Sequence, residues 1–355
     1  MPKALIAMSG GVDSSVADYI MKERGYDCIG ATMRLFSNED IGECGDKACC
    51  SLDCVEDARS VCRRLGIPYH VFNFSADFKD KVINKFISSY ENGCTPNPCI
   101  DCNRYLKFDK LFLRMRELSC DCVVTGHYAI SAFDEKSGRY TLSKAHDRKK
   151  DQSYVLYSMT QEQLKHTVFP LGGMSKDETR AVAQANGFVN AARKDSQDIC
   201  FVPDGDYGSF IEKYTGKSYP EGDFIFEGKQ IGRHRGIIRY TLGQRKGLGV
   251  PYTRRLYVTG KDFEHNCVIL GDESELYVST LTACDVNWVS IPCPESPIRA
   301  QVKVRYSQNQ TDALITPLED GKVRVDFDTP VRAVTKGQAA VFYDGDLLLG
   351  GGTIE

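Results

Sequence analysis

The chain has 355 residues, of which 42% are hydrophobic and 26% are charged, and its formal net charge is −3. This composition is typical of folded globular proteins and excludes a disordered or fibrous chain. The length predicts two or three domains. The weak negative charge argues against non-specific coating of nucleic acid, although a local basic face can still bind phosphates.

The cysteine content and the N-terminus indicate the compartment. The first apolar run, Ala4 to Met8, stops at Ser9-Gly10-Gly11 and is too short for a signal peptide or a membrane span. We therefore expect a cytoplasmic protein with no membrane association. The fifteen cysteines should then be mostly thiols, and most of them should pack as small buried hydrophobes.

The first half of the chain alternates strand-like and helix-like stretches, which predicts an α/β fold with a Rossmann-like parallel sheet covered on both faces. The predicted strands are Ala4 to Ala7, Cys28 to Met33, Tyr69 to Phe74 and Cys122 to Val124, and the predicted helices are Ser14 to Arg24, Cys54 to Leu65, Lys79 to Tyr90 and Phe108 to Leu118. Sites on such sheets form at the carboxyl ends of the strands.

After about Pro203 the chain changes to short apolar runs separated by Gly, Pro and Asp, with no long helical pattern. This texture predicts a small central β-rich domain and a C-terminal β-barrel. The runs are Phe224 to Phe226, Leu256 to Val258, Val268 to Leu270, Val302 to Arg305, Ala313 to Ile315, Val323 to Phe327 and Ala339 to Tyr343, with a linker near Gly271 to Ser274. We expect domains at residues 1–203, 204–272 and 273–355.

The segment Ser9-Gly10-Gly11-Val12-Asp13-Ser14-Ser15 lies between the first predicted strand and the first predicted helix. Two glycines allow a tight turn that points successive N–H groups and the helix N-terminus at an anion, and the serine hydroxyls add donors for phosphate oxygens. The loop lacks the Lys of a Walker A motif, which argues against an ordinary kinase or GTPase. Asp13 is a candidate for holding Mg²⁺. The alternative is a simple strand-to-helix turn.

This loop resembles the PP-loop of the ATP pyrophosphatases, enzymes that split ATP between the α and β phosphates. The resemblance implies that the chain binds ATP. The implied contacts are Ala7, Met8, Ser9, Gly10, Gly11, Val12, Asp13 and Ser14, with Met33 and Gly126 around the adenosine.

Three cysteines are candidates for carrying sulfur. Cys99 and Cys102 are three residues apart on a proline-stiffened turn that leads into a helix, and Cys200 lies in a polar segment at the end of the first predicted domain. A thiol near a helix N-terminus and an arginine, here Arg104, has its thiolate favoured. The better nucleophile candidate of the first pair is Cys102.

Five motifs in order along the chain resemble those of the bacterial tRNA-specific 2-thiouridylases: P-N-P-x-x-x-C-N, T-G-H-Y, K-D-Q-S-Y, S-Q-x-I-C-F and Y-T-L-G-Q-R-K-G-L. The resemblance implies ATP-dependent 2-thiolation of the wobble uridine in tRNAs for Lys, Glu and Gln. It implies adenylation of the uridine carbonyl, a persulfide on Cys200 and completion of the transfer by Cys102, with Asp13 also catalytic. The sulfur donor would be a cysteine desulfurase or a relay protein.

Cys99 departs from the family pattern, because many members have Asp at this position. Cys99, Cys102 and Cys200 offer three thiolates that suit a [4Fe-4S] cluster with one open iron. A passive replacement or a spare redox thiol is the alternative. A second group of thiols suggests a zinc site and consists of Cys44, Cys49, Cys50, Cys54 and Cys62. Adjacent cysteines fit tetrahedral coordination poorly, and we therefore favour cysteines that bind no zinc.

Several polar residues are expected to face RNA. A local cluster of cations with an aromatic ring and amides suits an RNA backbone and its splayed-out bases. The resemblance implies tRNA contacts at Lys150, Asp151, Gln152, Arg305 and Tyr306, target-base contacts at Asn97, Pro98 and Cys99, and tRNA discrimination by His127 and Gln338. As a lone residue, His127 would more often be a packed core histidine.

Two other functional classes compete with this interpretation. A PP-loop ligase, such as a guanylate or argininosuccinate synthetase, would need neither the cysteine pair nor a C-terminal barrel. A metal-sensing nucleic-acid-binding protein would leave the phosphate loop unexplained.

Overall fold

The structure is a computed structural model that describes residues 1–36, 52–193, 198–202 and 204–355. Its first domain is built on a parallel sheet of five strands in the order β3-β2-β1-β4-β7. Its elements in chain order are β1 Lys3–Ala7, α1 Val12–Glu23, β2 Asp27–Arg34, α2 Leu52–Leu65, β3 Tyr69–Asn73, α3 Ser75–Phe78, α4 Asn84–Glu91, α5 Pro98–Cys102, α6 Leu111–Glu117, β4 Cys122–Val124, β5 Ala129–Asp134, β6 Arg139–Lys144, α7 Gln161–Lys165, β7 Thr167–Val168 and α8 Lys176–Ala185.

The central strands are apolar because helices cover both faces of the sheet. Ala4, Leu5 and Ile6 of β1 are fully buried. Two pairs of helices are continuous. A π-helical segment at Lys79–Ile83 joins α3 to α4, and another at Asn103–Lys110 joins α5 to α6. The second run carries both Cys99 and Cys102.

The central domain opens with a helix, which the sequence pattern after Pro203 did not predict. The nine-residue α9 precedes a four-stranded sheet in the order β10-β11-β8-β9. The elements are α9 Tyr207–Thr215, β8 Gly222–Phe226, β9 Lys229–His234, β10 Tyr257–Asp262 and β11 Cys267–Gly271. This domain shares one hydrophobic cluster with the first domain, in which Phe224 and Leu270 pack with Phe78 and Phe86.

The C-terminal strands form a closed six-stranded antiparallel barrel in which β12 pairs with both β15 and β17. They are β12 Tyr277–Trp288, β13 Ile298–Lys303, β14 Thr311–Pro317, β15 Val323–Arg332, β16 Ala339–Asp344 and β17 Leu347–Ile354. The predicted fold class is thus confirmed. The predicted strand Val302 to Arg305 is wrong at its end, because β13 stops at Lys303 and Arg305 lies in the following turn.

The barrel is continuous with the first domain. The β5–β6 hairpin of the first domain adds to the barrel sheet because β6 pairs with β17, with Leu348 opposite Leu142. The predicted division at residue 273 stays a prediction, and this pairing crosses it. Among the described residues, no helix is long and apolar enough to cross a membrane.

A buried carboxyl group in the first domain generates a prediction about stability. Asp18 of α1 is fully buried, and burial raises its pKa from 3.8 to about 7. The folded protein therefore keeps a proton that the unfolded chain loses above pH 4, so this group's contribution to stability is present below pH 4 and is lost as the pH rises through 7. The loss is at most about 4 kcal/mol, since each pKa unit corresponds to about 1.4 kcal/mol.

We expect Asp18→Asn to flatten the fall in the free energy of unfolding between pH 4 and pH 8, because an amide stays neutral. Urea unfolding followed by circular dichroism at several pH values measures this. Asp27→Asn, at the exposed start of β2, is the control. An equal pH slope in wild type and Asp18→Asn would contradict the assignment.

Candidate active site

The loop between β1 and α1 is shaped to receive an anion. Gly10 has a φ of +75°, which favours glycine. A Cβ there would lie 2.4 Å from the carbonyl oxygen of Cys54. Gly11 is the N-cap of α1 and makes no side-chain capping bond, and the start of a helix with its dipole favours an anion.

The hydroxyl groups of the loop are held in place by the backbone. Ser14 Oγ donates to the carbonyl of Gly11 at 3.0 Å and accepts from the amide of Ser9 at 3.2 Å, and Ser15 Oγ donates to the same Gly11 carbonyl at 3.1 Å. The loop is thus preorganised rather than ordered only by its ligand.

Two further residues support the loop from behind. Asn190 is 2% exposed, and its amide donates to the Gly10 carbonyl at 2.9 Å and to Ser15 Oγ at 2.9 Å. Gly126 packs against the start of α1, because a Cβ there would lie 2.8 Å from the amide nitrogen of Ser14. No motif marks Asn190, whose distance along the chain hid it from sequence analysis.

Asp13 does not stand alone at the mouth of the loop. Its carboxylate accepts from Lys176 Nζ at 2.7 and 2.9 Å and from the Tyr128 hydroxyl at 2.9 Å. The Lys176 side chain is only 9% exposed, whereas that of Asp13 is 32% exposed. The site therefore contains a cation that the sequence motif does not include, at the first residue of α8.

The sequence-predicted nucleotide residues meet at one edge of the sheet. Ala7 ends β1, Met33 is the penultimate residue of β2, and Gly126 follows β4, and these three strands are adjacent. Met8 is buried and its amide donates to the Ala31 carbonyl at 2.8 Å. This is the carboxyl edge at which ligands bind in parallel sheets.

The first two cysteine candidates lie on the helix that begins at Pro98. Asn97 caps this helix, since its Oδ1 accepts from the amide of Cys99 at 3.2 Å, and Pro98 occupies the first turn. Cys99 is exposed and Cys102 is buried.

The expectation that Cys102 has a favoured thiolate is wrong for this conformation. Burial raises the pKa of Cys102 to about 11, and the positive charge of Lys107 opposes this only in part. The Arg104 guanidinium, which was expected to stabilise the thiolate, forms a bidentate ion pair with Asp285 of the barrel instead. A buried thiol in apolar surroundings is inert until its environment changes.

Cys200 lies on the described segment that leads into the central domain, and it is half-buried. It packs against the same hydrophobic cluster that contains Cys102, together with Phe201 and Phe86. Within the described residues, no three His, Cys, Asp or Glu side chains are placed to hold a metal ion. The structure thus does not assemble Cys99, Cys102 and Cys200 into a ligand set.

Three of the cysteines considered for zinc, Cys44, Cys49 and Cys50, lie outside the described residues. Cys54 and Cys62 are buried on α2. Cys54 Sγ accepts from Arg193 Nη2 at 3.1 Å, and Cys62 faces the buried Asp18. Burial raises the pKa of Cys62, which disfavours a metal-binding thiolate.

The residues expected to face tRNA are largely engaged within the protein. Asp151 is buried and accepts from Ser153 Oγ at 2.8 Å and from the amide of Ala145 at 3.0 Å. Gln152 Oε1 accepts from the amide of Tyr128 at 3.0 Å. Lys150 is half-buried on the same turn.

His127 is packed in the core, as a lone histidine would be. It is 6% exposed, its Nδ1 lies 2.8 Å from Thr125 Oγ1, and its Nε2 lies 3.5 Å from Lys107 Nζ. Burial and the Lys107 charge hold its pKa well below the usual value, so the imidazole is neutral.

The barrel residues of the expected RNA surface join the domains. One Arg305 Nη donates to the carbonyls of Ala333 at 2.6 Å and Leu242 at 3.3 Å. Gln338 donates to the Thr95 carbonyl at 2.7 Å. Tyr306 is 43% exposed and its hydroxyl donates to the Asp151 carbonyl at 2.9 Å. The tRNA contacts stay predictions.

Comparisons with known proteins match this architecture part by part. Family models described as the tRNA methyl transferase HUP domain, the tRNA methyl transferase PRC-barrel domain and the aminomethyltransferase beta-barrel domain match residues 2–204, 208–272 and 278–354. The fold and the loop thus define a three-part α/β enzyme of a tRNA-modifying class.

Curated relatives specify the class further, and all three that follow are named tRNA-specific 2-thiouridylase MnmA. The protein from Acetivibrio thermocellus is 51% identical, and the match covers 99% of each chain. That from Clostridioides difficile is 47% identical over 99% of this chain and 98% of its own. The protein from Symbiobacterium thermophilum is 49% identical, and the match covers 99% of this chain and 92% of its own. The chain belongs to the tRNA-specific 2-thiouridylase family.

The difference in burial between two cysteines on one helix is directly measurable. At pH 8 only about one Cys102 thiol in a thousand is ionised, because its pKa is about 11. We expect iodoacetamide to alkylate the exposed Cys99 at least about tenfold faster than Cys102 in the native, reduced protein.

Tryptic peptide 86–104 contains both thiols together with Cys94, and tandem mass spectrometry assigns the alkylated position among the three. Urea-unfolded protein is the control, in which the two rates should converge. Equal rates in the native protein would show that Cys102 is accessible and ionisable without any change of conformation.

Proposed function

We propose that this protein catalyses ATP-dependent 2-thiolation of the wobble uridine in the tRNAs for Lys, Glu and Gln. The observation that carries the proposal is the pairing of a preorganised phosphate loop with two cysteines, Cys102 and Cys200, that pack against one hydrophobic cluster. A methyl transferase, which the names of two family models suggest, would need neither feature. The names of the curated relatives support sulfur transfer.

The first half of the proposed reaction makes oxygen a leaving group. The uridine 2-carbonyl oxygen attacks the α phosphorus of ATP and pyrophosphate departs. The loop amides and Lys176 stabilise the charge that develops on the phosphates. Mg²⁺, where bound, would be held by the Asp13 carboxylate together with phosphate oxygens and would neutralise the same charge.

The second half replaces that oxygen by sulfur. The terminal sulfur of a Cys200 persulfide attacks carbon 2, and AMP leaves with the original oxygen. The Cys102 thiolate then attacks the Cys200 sulfur, which releases the thiocarbonyl and forms a Cys102–Cys200 disulfide that an external thiol reduces. We propose a cysteine desulfurase or a relay protein as sulfur donor, and the cytoplasm as the location.

Cysteine variants test the sulfur chemistry. We expect Cys200→Ser to lose persulfide acceptance and Cys102→Ser to lose thiolated product, whereas Cys293→Ser, at an exposed position in the barrel domain, should lose neither. The assay incubates protein, ATP, tRNA and a persulfide donor and measures 2-thiouridine by nucleoside mass spectrometry. Full thiolation by Cys200→Ser would rule out its role as carrier.

A variant of the phosphate loop tests the adenylation step separately. We expect Asp13→Asn to lower tRNA-dependent pyrophosphate release about a hundredfold, which is the usual cost of removing one preorganised charge contact from a transition state. Asparagine keeps the side chain's size, so Lys176 and Tyr128 keep a partner. Asp27→Asn is the matched control. Near-normal release at saturating ATP and Mg²⁺ would overturn the role of Asp13.

A further inference from the structure

The segment of residues 198–202, which we call the carrier segment, is fastened to the protein at its far end by an aromatic ring. Phe201 is 2% exposed. Its ring centroid lies 5.6 Å from that of Phe78, 5.3 Å from that of Phe86 and 5.3 Å from that of Phe210. The contacts with Phe78 and Phe86 are edge-on and that with Phe210 is tilted, and such aromatic pairs stabilise a buried ring.

The near end of the carrier segment is bonded to the helix that follows it. The Tyr207 hydroxyl donates to Asp198 Oδ1 at 2.7 Å, and the same oxygen accepts from the amide of Ile199 at 2.8 Å. Tyr207 begins α9, and its ring packs 5.9 Å from that of Phe86. Burial and the Asp198 carboxylate raise the pKa of Tyr207, so its hydroxyl keeps the proton that it donates.

Cys200 lies between Asp198 and Phe201, and the proposed reaction requires two steps of it. It must receive sulfur from a donor outside the protein, and it must deliver sulfur where Cys102 is buried. A half-buried thiol packed against the cluster of Cys102 suits delivery. Loading needs more exposure. The Asp198 end can provide it, because the Asp198 side chain is exposed and, among the described residues, its bond to another element comes from Tyr207, whereas Phe201 is buried.

We propose that the hydrogen bond between Tyr207 and Asp198 is a latch that positions Cys200, closed for transfer to the base and open for loading by the sulfur donor. Tyr207 and Asp198 are positioning residues in this scheme, since they act through Cys200. The inference rests on the proposed role of Cys200 as sulfur carrier.

Tyr207→Phe tests the latch because it removes one hydroxyl and keeps the ring. The matched control is Tyr219→Phe, since Tyr219 also lies in the central domain and its hydroxyl also bonds a carboxylate of another element, that of Glu91 in α4, at 2.6 Å. In the reduced protein, we expect Tyr207→Phe to raise the rate of Cys200 alkylation by iodoacetamide about fivefold, in the range expected for losing one charge-assisted hydrogen bond that is partly exposed. Tryptic peptide 195–213 contains Cys200 as its single cysteine, so mass spectrometry reads this rate alone.

Activity measurements distinguish positioning from general damage. With Cys200 preloaded as a persulfide, we expect single-turnover thiolation by Tyr207→Phe to fall about fivefold, while tRNA-dependent pyrophosphate release and the KM for ATP stay at wild-type values. Asp198→Asn should change both rates in the same directions. The double variant should not exceed the larger single effect, because both changes break one bond.

Equal alkylation rates in Tyr207→Phe and Tyr219→Phe would overturn the latch, and so would a parallel loss of thiolation and pyrophosphate release. Failure of the proposed function looks different. In that case Cys200→Ser would still thiolate tRNA, or the wild-type protein would release no pyrophosphate, while the alkylation rates would still report whether the latch exists.

Discussion

The backbone of Gly10 is the constraint on which the active site depends. Its φ of +75° turns the chain from β1 into α1, which begins at Val12. That turn is packed on one side against the Cys54 carbonyl, at the start of α2, and is bonded on the other side to Asn190. Both neighbours fix the Gly10 peptide, so the loop keeps one conformation.

The same packing extends from the loop to the chain after α8. Asn190 lies after α8, and Arg193 bonds to Asp57 of α2 at 2.5 Å. The phosphate loop, α2 and residues 190–193 are therefore packed together. Residues far apart in the sequence thus hold the loop in one conformation.

The sequence could predict what depends on local pattern. The alternation of apolar strands and helices predicted the strands and helices of the parallel sheet. The resemblance of the loop predicted that Ala7, Met33 and Gly126 would lie together around a nucleotide. Long-range partners leave no local signal. The residues around Asp13 in the sequence do not indicate that Lys176 forms its ion pair. Residues 129–144 likewise do not indicate that their hairpin pairs with a barrel strand two hundred residues later.

Charged and polar residues were the least predictable, because the same side chain suits RNA or a domain junction. A basic cluster near Lys150 predicted an RNA-facing loop, but Asp151 and Gln152 within it bond to the protein's own backbone. The predicted thiolate at Cys102 failed for a related reason. Proximity to a helix start was visible in the sequence, whereas burial in the hydrophobic cluster shared with the central domain was not.

The polar junctions between barrel and first domain bear on how RNA would be recognised. Gln338 holds the Thr95 carbonyl, and Thr95 in turn donates its amide to the Lys336 carbonyl at 2.8 Å, two residues before the cap of the Cys99 helix. Tyr306 holds the Asp151 carbonyl in the same manner. A tRNA that contacted Gln338 would compete with a bond that fixes the loop before the Cys99 helix, and one that contacted Tyr306 would compete with a bond to the turn at Asp151. Loss of activity on changing either side chain would therefore measure the placement of that loop or turn as much as any contact with RNA.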